Sequence, residues 1–105
     1  MKAIIRGKRY DTDKAEHLAT ASSNLSRSDF GWWQEELYRT TRSKAYFLAG
    51  EGHARSHYAE HRGNGEYAPG EKITPLTDEA AFEWAQTHLT ADECEAVFGD
   101  QIEDA

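Results

Sequence analysis

Three histidines, His53, His57 and His61, recur four residues apart. On a helix that spacing stacks imidazoles along one face, where two of them can ligate a single metal ion. A metal-dependent enzyme or metal-binding protein built on this row is therefore one reading. It needs further ligands, which only Glu51, Glu60 or the distant His17 and His88 could supply, and the glycines on both sides weigh against a helix there. The bland alternative is three surface histidines. Cys94 falls among acids on the inward side of a helical pattern, where burial and negative neighbours both disfavour a thiolate, so it reads as a small apolar side chain. Gly50-Glu51-Gly52 and Gly63-Asn64-Gly65 lack the Lys-Ser/Thr ending of a phosphate cradle and carry carboxylates nearby, which makes them turns. The residue pattern assigns no catalytic residue, no metal site and no cofactor.

The stronger chemical signal is the distribution of charge. All 12 Lys and Arg residues lie at or before Lys72, together with 10 of the 19 acids. The remaining carboxylates, Asp78, Glu79, Glu83, Asp92, Glu93, Glu95, Asp100, Glu103 and Asp104, have no cation in their part of the chain. Such a segment repels nucleic acid and attracts Lys- and Arg-rich surfaces, of which nucleic-acid-binding proteins present the largest. The plain alternative is a solvated acidic face that keeps the protein in solution. On the binding reading, Asp78, Glu79, Glu83, Asp92, Glu93 and Glu95 contact a basic partner surface, with Trp32 and Tyr38 as exposed aromatic anchors.

These side chains must be carried by a single domain, since 105 residues suffice for one core. Three Trp, five Tyr and four Phe supply enough apolar surface to exclude a disordered acidic chain. With no long apolar run and one cysteine, the sequence predicts a soluble, cytoplasmic protein without a signal peptide or membrane span.

Residues 3 to 5 read as a strand, followed by a turn at Gly7 and extended residues through Tyr10. Ala15, Leu18 and Ala19 fit a short helix over about 12–20, and residues 21 to 29 a polar loop. Trp32 to Thr41 and Ala45 to Ala49 form a central antiparallel hairpin, broken by Gly50-Glu51-Gly52. One or two helical turns are expected over His53 to His61. Lys72 to Leu76 returns as a strand that Pro75 confines to a sheet edge. Thr77 caps a helix over about 77–89 with Ala81, Ala85, His88 and Leu89 inward. Thr90 and Glu93 form a capping box that opens a second helix over about 91–98, ended by Gly99 and facing inward through Ala91, Cys94, Val97 and Phe98.

The predicted fold is α+β: a small antiparallel sheet centred on the hairpin, with Ile4 and Ile73 in flanking strands and the C-terminal helices on one face. Its predicted core is Ile4, Ile5, Leu18, Leu37, Phe47, Leu48, Ile73, Leu76, Phe82, Trp84, Leu89, Val97 and Phe98.

The blocks Lys8-Arg9-Tyr10-Asp11-Thr12-Asp13-Lys14-Ala15-Glu16, Glu36-Leu37-Tyr38-Arg39-Thr40, Tyr46-Phe47-Leu48-Ala49-Gly50-Glu51-Gly52 and Ile73-Thr74-Pro75-Leu76 leading into Glu83-Trp84-Ala85 carry a resemblance. In their order they resemble small acidic uncharacterised proteins of bacterial phages and mobile elements, over roughly residues 7 to 99. In that group a third glycine usually stands where this chain has His53, which counts further against the metal row. The resemblance brings no enzymatic activity. It implies a non-enzymatic inhibitor of host defence, of the anti-CRISPR or anti-restriction kind, whose partner is a nucleic-acid-binding complex. An intracellular regulatory interaction module is the remaining alternative.

Overall fold

The computed structural model describes all 105 residues. Strands β1 (Lys2–Ile5) and β2 (Lys8–Asp11) form a hairpin whose two turn residues, Arg6 and Gly7, have φ of 53° and 78°. Positive φ at both central positions is the type I′ geometry, whose twist matches that of the flanking strands. A single 3-10 turn, Thr12–Lys14, follows, the Asp13 amide donating to the Asp11 carboxylate.

The central sheet contains β3 (Ala15–Ser22), β4 (Trp33–Thr40), β5 (Tyr46–Gly52) and, from later in the chain, β8 (Gly70–Leu76), in the order β3-β4-β5-β8 and antiparallel throughout. Between β5 and β8 the chain makes irregular turns and a two-residue hairpin, β6 (Glu60–His61) with β7 (Tyr67–Ala68). Two helices close the fold, α1 (Asp78–His88) and α2 (Ala91–Phe98), and a 3-10 turn over Gly99–Gln101 extends α2. No helix is long and apolar enough to cross a membrane.

The α+β class, the central hairpin, the edge position of the Pro75 strand and both helices agree with the sequence reading. Thr77 accepts from the Ala80 amide, and the Thr90–Glu93 box is formed in both directions. Gly99 has right-handed φ and ψ of −51° and −36°, so the chain runs on into the 3-10 turn and is not stopped by a left-handed cap.

Three expectations about elements fail. In place of the helix over 12–20 stand the 3-10 turn Thr12–Lys14 and the edge strand β3. The register of β3 shifts between His17 and Ala19, which leaves Leu18 as an extra residue and interrupts the period-2 alternation. That is why Ala15, Leu18 and Ala19 imitate helical spacing. Gly50 and Gly52 lie within β5, where the missing Cβ atoms make room for Tyr58 and Ser56 from the following loop. Residues His53 to Ala59 form turns without a helix, and His61 is in β6.

Pleating divides the core in two. On one face of the sheet Ala19, Ala21, Leu37, Tyr46 and Leu48 pack under Ala81, Trp84, Ala85, Cys94 and Phe98 of the helices. On the other, Phe47 and Ile73 pack against Tyr10, with Ala3 and Ile5 from the β1–β2 hairpin at the margin. β5 is thus covered on both sides, by helices and by hairpin, and its residues 46 to 50 read as a continuous apolar run before Glu51.

Ile4, predicted to be core, is 65% exposed. It alternates with Ala3 and Ile5, so the register that buries those two turns Ile4 outward with Lys2. Ile5, Leu18, Leu76, Phe82, Leu89 and Val97 are half-buried at the core margin, while His88 and Ala91 are exposed.

Phe98→Ala should lower unfolding free energy by about 3–5 kcal/mol, because the ring is fully enclosed between helix and sheet. Ile4→Ala should stay within about 0.5 kcal/mol of the parent in urea denaturation. Equal losses at the two positions would contradict the observed orientation of the hairpin.

Candidate functional site

The six acids singled out on the helices are all exposed, as are Asp100, Glu103 and Asp104 beyond them. None takes part in an ion pair. The five side-chain pairs of the molecule, His17–Glu36, Arg27–Glu51, Arg39–Glu16, His57–Glu35 and Arg62–Glu60, all fall before residue 63. Lys2, Arg6, Lys8 and Arg9 belong to the hairpin that packs on the sheet face opposite the helices. Arg39 and Lys72, by contrast, fall on the helix-facing side of the sheet, Arg39 bound to Glu16, and neither pairs with a helical carboxylate.

Part of this acid is explained locally. Asp78 and Glu79 open α1, and Asp92 and Glu93 open α2, where the helix dipole favours negative charge. The Glu93 carboxylate accepts from the Thr90 amide, and that bond holds its pKa below the ordinary value. Glu83 and Glu95 occupy no such position and have no bonded partner.

Trp32 and Tyr38 do not join this surface. Trp32 precedes β4 and is 6% exposed, with the Arg27 guanidinium over its ring at 4.6 Å and His53 against it at 5.0 Å. Tyr38 is half-buried on the sheet face away from the helices, stacked on Phe47 at 5.3 Å. The two aromatics are separated from the helical acids by the sheet or by burial.

The histidine row is dispersed once the helix beneath it is lost. His53 Nε2 donates to the Arg27 carbonyl at 2.7 Å, His57 turns toward Glu35, and His61 packs on Tyr67. No group of three or more His, Cys, Asp or Glu side chains is arranged to hold a metal ion.

The polar cluster that the structure does assemble centres on Glu35, a residue the sequence reading did not single out. It sits at the middle of β4 on the helix-facing side, 7% exposed. The Tyr58 hydroxyl donates to Oε2 at 2.5 Å and the Trp84 indole N–H to Oε1 at 2.9 Å, with His57 Nε2 3.3 Å from Oε2. Strand, loop and helix thus meet on one carboxylate. Tyr58 can lie this close to the sheet because Gly50 has no side chain, and Gly70 likewise clears the Tyr58 carbonyl.

Burial pushes the Glu35 pKa up, but the bonds from Tyr58, Trp84 and His57, with the His57 charge, outweigh it and leave the group below the ordinary carboxylate value. Burial and the neighbouring carboxylate push the Tyr58 hydroxyl well above its usual pKa. No buried side-chain polar atom lacks a partner. The Tyr58 and Trp84 donors are both spent on Glu35 and tie loop and helix to the sheet, so the cluster reads as a structural clasp. The signal in the sequence was one acid between Trp33 and Leu37, on a strand face that also carries Arg39. No family model, curated protein or solved structure matches the chain.

Glu35→Gln places an amide N–H₂ against the donors and should cost about 1–3 kcal/mol at neutral pH. A lowered folded-state pKa means that the carboxylate's contribution is complete above the unfolded value. It is lost as pH falls through the lower folded value. The stability gap between parent and variant in urea should therefore shrink between about pH 5 and pH 2. A gap unchanged with pH would show that the charge on Glu35 is irrelevant.

Proposed function

We propose that this is a non-enzymatic acidic binding protein whose helical layer, α1 and α2, engages a basic surface on a partner protein. The observation that carries the reading is that nine exposed carboxylates follow residue 72 and none is ion-paired, while four of the cations lie in the hairpin across the sheet. Uncompensated charge on one layer costs the folded state some self-repulsion, and a partner bearing Lys and Arg relieves it. Glu83 and Glu95 support the reading most directly, because neither serves a helix start.

The partner class that fits is a cytoplasmic nucleic-acid-binding complex, whose phosphate-contacting cations are the groups a carboxylate array can occupy. A defence complex inhibited by a mobile-element protein is the specific form the sequence resemblance implies. On this reading Asp78, Glu79, Asp92 and Glu93 contribute to the field as well as to their helices. Trp32 and Tyr38 are not used.

Glu79→Gln, Glu83→Gln and Glu95→Gln together spare the capping box and should leave the melting temperature almost unchanged. With the protein as bait in bacterial lysate, the bound partner should dissociate between about 50 and 200 mM salt. The triple variant should bind it at least about tenfold more weakly at the lower salt. A captured partner held equally by both proteins would rule out the acidic layer as the contact.

A further inference from the structure

The acidic layer is not uniformly polar. Between α1 and α2 lies an open groove of about 680 Å³, floored by Phe82, Leu89 and Cys94 and bounded by Ile102. Continuation of the chain through Gly99 into the 3-10 turn brings Gln101 to Glu103 alongside as a third wall. Glu95 and Glu103 stand on the rim, and no Lys or Arg lines the groove. Ile102 is 42% exposed and Phe82 and Leu89 are half-buried, so apolar surface here faces solvent within the negative field.

Resting on the reading above, we infer that the basic partner presents an amphipathic segment, which seats an apolar side chain in this groove while Lys or Arg beside it reach the rim carboxylates. An array that only imitated phosphates would need the acids and no apolar recess. A purely apolar ligand would have no use for the rim. Of the helical acids Glu95 lines the groove together with Glu103 from the following turn, and Glu79 lies one helical turn before Phe82, so a helix with apolar anchors flanked by cations meets both kinds of contact.

The chain itself carries an exposed apolar residue among cations: Ile4, in β1, lies between Lys2 and Arg6 and opposite Arg9. That hairpin packs on the sheet face opposite the groove, so docking it into a second copy would be a head-to-tail contact, which builds rings or filaments instead of a simple two-fold dimer. A partner segment is the occupant the arrangement favours.

The probe is a synthetic helical peptide of about fourteen residues, Lys-rich, with Leu at positions i, i+3, i+4 and i+7, compared with the same peptide bearing Ala at those positions. Titration at low salt should show the Leu peptide binding at least about tenfold tighter, as expected for burying an apolar side chain. Amide shifts should centre on Phe82, Leu89, Cys94 and Ile102, and Ile102→Ser, at an exposed position, should remove most of the preference. Equal, salt-sensitive binding of both peptides would overturn the groove inference and leave the acidic layer standing as a contact. A Leu preference that maps elsewhere would overturn it too. Failure of both peptides to bind would remove both this inference and the reading it rests on. Sedimentation of the protein alone should show a monomer; self-association abolished by Ile102→Ser would make a second copy the occupant and overturn the partner assignment.

Discussion

The Glu35 carboxylate is the point at which three separately formed parts of the molecule are joined. Its two oxygens accept from the Trp84 indole of α1 and from the Tyr58 hydroxyl of the β5–β8 connection, and β4 fixes it at the centre of the sheet. A buried acid is costly unless its lone pairs are filled, so the site tolerates ionised Glu only while loop and helix are both in place. The same dependence runs outward. Residues 53 to 59 have little apolar surface of their own, and their attachment rests on Tyr58 and Ser56 lying against the bare backbone of Gly50 and Gly52. A loop of that length without regular structure holds its place through this contact and through His53 on Trp32.

Around that junction the molecule is layered as hairpin, sheet and helices, and the layers differ in charge as much as in secondary structure. The hairpin carries Lys2, Arg6, Lys8 and Arg9, and the helices carry carboxylates without an ion pair. The two cores on either side of the sheet account for the separation. Each outer layer must contribute an apolar face, and the polar residues left over are turned outward to opposite sides. The electrostatic contrast is thus a product of the fold as well as of composition, and the helical layer is the side on which acid and exposed apolar groups coincide.

What could be read from the sequence followed from signals local in the chain. The hairpin of β4 and β5 is rich in aromatic residues, Trp33, Tyr38, Tyr46 and Phe47, and both helices begin at hydroxyl caps whose bonds form as expected. Pro75 marked its strand as an edge correctly, because a missing N–H acts whatever the context. The errors arose where distant residues decide. Leu18 is looped out of the β3 register, which only its pairing with β4 determines. Gly50 and Gly52 read as a break because the partner that needs their small size, the 56–58 segment, is separated from them along the chain. Glu35 looked like one polar residue in a mixed strand, since Trp84, which accounts for it, lies 49 residues away. The helical acids were identifiable, but Trp32 as an exposed anchor was not sustained, because its burial comes from Arg27 and His53 in loops without periodic pattern.

The two free margins of the sheet have a shared property. At one, the looped-out Leu18 disrupts the row of backbone groups along β3; at the other, Pro75 removes a donor from β8. Backbone templating by an incoming strand is therefore hindered on both sides, which protects an aromatic-rich protein from edge-to-edge aggregation. It also narrows the ways in which another molecule can be held. Recognition that adds a strand to the ladder is disfavoured, and side chains must do the work of attachment.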